Sequence, residues 1–325
     1  DGKQTTDFGG SESGADVAIQ ADGKIVVAGS RDFAGKPSFA IARYNVNGTP
    51  DNDFDTDGRT STTLNGNSFA SGIALQSNGK IVVAGAVVFS FGSSNFALIR
   101  YTSNGALDTS FGPNNNGITF ADFSEGGEDQ ARDLALQSDG KIVAAGYEGS
   151  FNNNSANFAV ARFNPNGTLD SSFGSGGKVS TIFGAFDGDF SAGINGVALQ
   201  KNSGIVGAGS TRDNQFNTSD VVLARYLVCL GKPAKPVLVK PKNDGVVKTQ
   251  TPLLDWKNAR CATKYSVTVR IGSPTGTKVF TKEDFTASEA RVTTPLTSGQ
   301  KYFWRVTASN QAGSTISDAR SFQVE

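Results

Sequence analysis

The chain has 325 residues, is 37% hydrophobic and 18% charged, and balances 30 Lys+Arg against 30 Asp+Glu. Neutrality gives nothing that would steer it to nucleic acid or an anionic surface, and no apolar run approaches the ~20 residues that would insert through a membrane. Histidine is absent, which excludes Ser–His–Asp and Cys–His nucleophiles and every His-ligated metal site, and two cysteines are too few for a zinc cluster.

Methionine is absent too, so residue 1 reads as a processed end or the edge of a fragment. Glycine accounts for 39 residues, well above the usual ~7%, which predicts a turn-rich all-β protein. The length predicts two domains at ~100–200 residues each.

In chain order, four copies of one pattern come first. The first block reads VAIQADGKIVVAG at 17–29, IALQSNGKIVVAG at 73–85, LALQSDGKIVAAG at 134–146 and VALQKNSGIVGAG at 197–209. A second block, FAIARYN, FALIRYT, FAVARFN and VVLARYL, starts at Phe39, Phe96, Phe158 and Val221. A third follows in the first three copies, PDNDFDTDG at Pro50, LDTSFGPNN at Leu107 and LDSSFGSGG at Leu169. Each copy predicts four short strands. The Asp-Gly or Asn-Gly between strands one and two predicts a two-residue hairpin turn. Strands that are apolar on both faces must be covered on both faces. Four-stranded sheets stacked face to face predict a β-propeller of four blades over residues 1–228, a β-solenoid being the rival. Residues 1–9, DGKQTTDFG, align with the fourth strand at 175–184. The last copy ends at strand three, so the N-terminal strand is expected to complete that blade, either in the same chain or in a neighbouring molecule.

Together, ALQSDGKIVVAG, the Phe-Ala-Leu-x-Arg-Tyr block and LDTSFG resemble the delta-60 repeat, found in propeller regions of bacterial secreted and surface proteins. The resemblance covers residues 1–228. It implies a propeller in an extracellular bacterial setting and implies no enzymatic activity. The fourth copy departs from it at KNSGIVGAG, where the Asp-Gly turn is lost.

Residues 229–236 read as a Pro-containing linker. Residues 237–325 hold about seven β runs separated by turn residues, with Tyr265, Val267 and Val269 alternating with polar neighbours, which argues an immunoglobulin-like β-sandwich. Leu296–Asn310, LTSGQKYFWRVTASN, and Trp256 resemble fibronectin type III domains. That resemblance implies a strand-locking corner of Leu296 with Tyr302 and a core place for Trp256. Cys229 and Cys261 are expected to form a disulfide, since an extracellular setting favours one; buried free thiols are the alternative.

Candidate chemistry is sparse. Arg43, Arg100 and Arg162 each have an aspartate eight residues on, at Asp51, Asp108 and Asp170. A half-buried arginine needs such a partner, so structural pairing is expected rather than an anion-binding ring; Arg225 has no such aspartate. Asp53, Asp55 and Asp57 form D-x-D-x-D-G, a spacing that suits calcium, although the glutamate of a full EF-hand loop is replaced by Leu64. An acidic solvated turn is the plainer reading. Glu125, Glu128, Asp129, Asp187 and Asp189 are the acids from which a glycosidase pair would have to come. Asn153, Asn166 and Asn217 open N-x-S/T sequons. Phe89 and Phe91 sit in a variable loop and suggest a contact surface. The expectation is an extracellular or cell-surface structural protein without catalytic residues. Its partner is a further copy of itself, in head-to-tail filaments. The alternatives are an adhesion or glycan-binding module with a surface glycan or protein partner, and a carbohydrate-active enzyme.

Overall fold

The computed structural model describes residues 2–89, 92–124, 126–149, 156–183, 190–200, 204–213, 218–227, 231–310 and 312–325. Every assigned element among them is a strand, and the chain divides into two compact units, Asp1–Leu227 and Val228–Glu325.

The first unit consists of antiparallel sheets in series. Sheet 1 holds β1 (Ser11–Ile19), β2 (Ile25–Phe33), β3 (Lys36–Tyr44) and β4 (Arg59–Thr62), paired in chain order. Sheet 2 repeats it with β5 (Asn67–Leu75), β6 (Ile81–Val88), β7 (Ser94–Tyr101) and β8 (Ile118–Ala121). Sheet 3 does so with β9 (Gln130–Leu136), β10 (Ile142–Glu148), β11 (Asn157–Phe163) and β12 (Lys178–Thr181). Sheet 4 has three strands, β13 (Phe190–Leu199), β14 (Gly204–Asp213) and β15 (Thr218–Leu227).

The turn after strand one differs from the two-residue hairpin that the Asp-Gly dipeptide suggests. Gln20 N donates to Lys24 O at 2.8 Å and Gly23 N to Gln20 O at 2.9 Å, with Gly23 at φ +84°. This is a three-residue loop with one left-handed residue, the geometry of a type I turn closed by a glycine bulge. Asp22 keeps a negative φ and instead caps the turn, its Oδ1 accepting from Lys24 N at 3.1 Å. A second glycine is fixed by packing. Every first strand carries a bulge, as between Ala70 and Gly72, and the bulged carbonyl occupies the space where a side chain would leave the facing residue. A Cβ on Gly85 would lie 1.9 Å from Phe69 O. That is why each second strand carries Ala-Gly opposite the bulge.

The sheets pack through apolar faces. Val26, Ala28, Phe39 and Ile41 of sheet 1 meet Ile73, Ile81, Val83 and Ile99 of sheet 2 in one core. Val82, Ala84, Phe96 and Leu98 on the other side of sheet 2 meet Leu134, Ile142, Ala144 and Ala161 of sheet 3 in a second. Sheet 2 is thus buried on both sides, as its doubly apolar strands require.

In the second unit, β16 (Val237–Lys240), β18 (Leu253–Lys257) and β21 (Glu289–Arg291) form one sheet. The other runs β17 (Gly245–Val247), β24 (Arg320–Val324), β22 (Lys301–Asn310), β19 (Lys264–Ile271), β20 (Lys278–Phe285), with β23 (Gly313–Ile316) also on β22. One core joins residues of both, including Leu254 and Trp256 with Val267, Trp304 and Phe322. Leu296 is buried in the same core, and the Tyr302 hydroxyl accepts from Thr297 N at 2.7 Å and donates to Thr297 O at 3.2 Å. The described part of the expected linker is tied to this unit: Ala234 N donates to Arg260 O at 2.8 Å and Asn310 Nδ2 to Gly231 O at 2.8 Å.

Candidate functional site

The recurring basic residues build three copies of one latch. Asp51 Oδ2 accepts from Arg43 Nε at 2.6 Å and Lys24 Nζ at 2.8 Å. Asp108 Oδ2 does the same with Arg100 at 2.6 Å and Lys80 at 2.7 Å. Asp170 Oδ2 meets Arg162 Nη2 at 2.8 Å and Lys141 Nζ at 3.1 Å. The guanidiniums lie over Phe54, Phe111 and Phe173 at 4.8, 4.4 and 4.8 Å from the ring centroids, a stacked arrangement that suits arginine. Burial works to raise the three aspartate pKa values. Hydrogen bonds and the nearby cations outweigh it, so all three carboxyls titrate below their ordinary range. The first two latches also reach forward: Arg43 Nη1 donates to Ser103 O, and Arg100 Nη1 to Pro165 O at 2.5 Å, in the loop of the following sheet. Arg43 and Arg100 therefore pin one sheet to the next. The lysine and aspartate partners leave no open cationic surface for an anion.

Of the other sequence candidates, Asp53, Asp55 and Asp57 are exposed, and Asp57 engages Arg59 at 3.0 Å. Among the described residues no group of three acids, cysteines or histidines is arranged to hold a metal. Phe89 is half-buried against the core between sheets 1 and 2. Phe91, Cys229, Glu125, Asp187, Asp189, Asn153 and Asn217 lie outside the described residues. Cys261 is not a free thiol. Asn166 is exposed, and its Oδ1 accepts from Thr168 N at 3.1 Å. Asp129 is fully buried, and burial, with Asp122 and Glu148 adding repulsion against its Phe123 N hydrogen bond, raises its pKa to about 6.

The feature that residue-type reasoning missed is the pair of faces at the ends of the stack. In the second block, the first and third residues point toward the next sheet. Phe39, Ile41, Phe96, Leu98, Phe158 and Val160 are all 0% exposed there. Their counterparts in sheet 4, Val221 and Leu223, are 86% and 65% exposed. At the other end, Ile73 and Leu134 of strand one are buried, whereas the equivalent Val17 is 58% exposed and Ile19 is 71% exposed. An uncovered side chain of this size forgoes ~1.5–3 kcal/mol relative to full burial. The latch is also undone in the fourth copy, where Gly204 replaces the lysine and Arg225 is exposed. Repeat alignment identifies the equivalent positions, and the structure shows which of them stay uncovered.

Residues 2–8 lie along the open face of sheet 1 without joining a strand. The Thr6 hydroxyl meets the Tyr44 hydroxyl at 2.6 Å, and Phe8 lies under Arg59 at 5.7 Å. Beside them runs a groove of about 110 Å³ walled by Gly14, Val27, Gly29, Ala40, Ala42 and Tyr44.

Comparison with known proteins is consistent with the repeat. Residues 20–54, 76–111 and 137–173 match the family described as a domain of unknown function (DUF5122) beta-propeller. Each matched segment runs from the glutamine closing strand one to the phenylalanine beneath the latch arginine, and together they make up about a third of the chain. No curated protein matches. Among solved structures, the extracellular domain of a hybrid two component system from B. thetaiotaomicron aligns over 96% of this chain at 12% identity and TM-score 0.32. The chain spans about 38% of that protein's length. The FN1-FN3 domains of chicken CNTN1 align over 79% of this chain and 98% of their own, at 9% identity and TM-score 0.24. The N-terminal Ig1-2 module of the Drosophila receptor protein tyrosine phosphatase DLAR aligns over 52% and 89%, at 13% identity and TM-score 0.21. At these scores the likenesses carry no argument about architecture or activity.

Proposed function

We propose that this chain is a non-enzymatic structural protein of the cell exterior that self-associates through the two ends of its sheet stack. The carrying observation is the exposure of Val221 and Leu223 at positions that are fully buried in the three preceding copies. Such an apolar face on a repeat protein is an unfilled contact. The sheets are read as delta-60-like propeller blades, four in number, and the second unit as a fibronectin-III-like sandwich whose entry segment is clipped by a Cys229–Cys261 disulfide. Zero net charge leaves no long-range repulsion between copies. A contact joining one end of a molecule to the opposite end of another is heterologous, so it closes into a ring or runs on as a filament according to the rotation between copies. Light scattering with electron microscopy of the purified chain tests this reading. Rings, filaments or a mass that rises with concentration are expected; a monodisperse 33.8 kDa particle at high concentration would overturn it.

A further inference from the structure

We infer that residues 2–8 of one copy are the missing fourth strand of sheet 4 in a second copy of this chain. This rests on the self-association reading and adds its geometry. Three observations converge on it. First, residues 2–8 already occupy the place of a preceding sheet's fourth strand. The Thr6–Tyr44 hydroxyl contact at 2.6 Å repeats the one between Thr62 of β4 and Tyr101 at 2.7 Å and that between Thr181 of β12 and Tyr226 at 3.1 Å. In those two cases the threonine belongs to a fourth strand paired with its own third strand, Phe39 opposite Thr62 and Phe158 opposite Thr181. Beside Thr6, the described residues place no third strand of the same sheet.

Second, among the described residues sheet 4 has the complementary lack: β15 is its last strand, and its outward residues Val221 and Leu223 are exposed. Carrying over the pairing of β11 with β12 places Val221 opposite Thr6, Val222 opposite Thr5, Leu223 opposite Gln4 and Ala224 opposite Lys3. Backbone pairing would then satisfy the edge of β15, while Val221 and Leu223 cover Val17 and Ile19 of the strand donor.

Third, the polar stitching between sheets alternates and stays in phase across such a junction. Asp16 Oδ2 accepts from Ile73 N at 2.9 Å and Asp133 Oδ2 from Val197 N at 2.7 Å. The equivalent positions in sheets 2 and 4 are Gly72 and Gly196. A Cβ on Gly72 would lie 2.9 Å from the Leu134 side chain, so at that junction the apolar residue fills the space the carboxylate takes elsewhere. Gly196 followed by Val17 of another copy is a junction of the Gly72–Leu134 kind, and the next would again use Asp16.

The test adds one cysteine at a time to the full chain, in the variants Thr6→Cys and Val221→Cys. No free cysteine competes among the described residues, and directly opposed residues in an antiparallel pair lie ~4.5–5.5 Å apart at Cα, within disulfide range. Mixed under mild oxidation, the two variants are expected to give a covalent heterodimer. Each variant alone is expected to give little. Val221→Asp/Leu223→Asp, on an exposed face and so harmless to folding, is expected to weaken self-association at least ~100-fold. Sedimentation that shows association without any cross-link in the mixture would overturn strand donation and leave the proposed function standing. A monomer at every concentration would overturn both. If Thr6→Cys/Val221→Cys in one chain closes efficiently at monomer mass, independent of concentration, the strand completes its own sheet 4 and the second-copy inference falls.

Discussion

Asp108→Asn removes one charge from the middle latch and keeps its shape. The carboxylate is buried, holds Arg100 at 2.6 Å and Lys80 at 2.7 Å, and caps its own turn by accepting from Ser110 N at 3.1 Å. Asparagine keeps the turn acceptor but leaves the buried Arg100 guanidinium facing an amide. Lys80, partly exposed, can swing into water; Arg100 is held over Phe111 and by Pro165 O and cannot. Removing one partner of a buried ion pair costs about 3–5 kcal/mol. For a unit of this size, at ~2–4 °C per kcal/mol, the midpoint falls by about 10 °C. The two units report separately. Both tryptophans, Trp256 and Trp304, lie in the second unit, so their fluorescence follows that unit, while the far-ultraviolet signal also follows the first. Asp108→Asn is expected to move the first unit's transition and leave the tryptophan transition in place. Adding Arg100→Met removes the stranded charge and is expected to recover at least half the loss. A single-variant loss below ~1 kcal/mol, or a double variant no better than the single, would refute the account of the latch as a buried, mutually dependent pair.

Gly85→Ala places a methyl 1.9 Å from Phe69 O and is expected to destabilise the first unit by at least ~3 kcal/mol in urea titration. Gly14→Ala, whose nearest neighbour would be Val27 Cγ1 at 3.6 Å, is expected to stay within ~1 kcal/mol. The three latch aspartates have lowered folded pKa values, so their contribution is present above the unfolded value of ~3.9 and is lost as pH falls below it. Asp129 acts in the opposite sense: raised to about 6, it favours the folded state most at low pH and loses that contribution as pH rises through 6. Thermal midpoints of the first unit are therefore expected to peak near pH ~4–4.5, to fall below that, and to decline to a plateau above ~6; a flat profile from pH ~4 to ~8 would contradict the Asp129 assignment. Tyr302→Phe removes the hydroxyl shared with Thr297 N and O and is expected to cost the second unit about 1–2 kcal/mol, read by tryptophan fluorescence.

Much of the first unit was legible in the sequence because its determinants are local and repeated four times. Alternation and the recurring Ala-Gly pair mark strands one to three in every copy, turn dipeptides do so in the first three, and the eight-residue spacing from Arg43 to Asp51 spans a hairpin turn that brings the two together. The turn after strand one departs from the two-residue expectation for a physical reason. Asp-Gly is compatible with one or two left-handed residues, and the bulge and twist of the flanking strands select one, at Gly23. The repeat also explains why the D-x-D-x-D-G run stood out. Its first copy carries extra acids on an exposed turn whose backbone is already set by Asp51 and Phe54. What the sequence alone determined is the all-β class, the repeated unit and the buried charge pairs, since each depends on residues within one hairpin or its neighbour. Only the tertiary structure decided which faces remain open and where residues 2–8 lie. Those depend on the rotation accumulated from sheet to sheet, a sum over many non-local contacts that no single strand encodes.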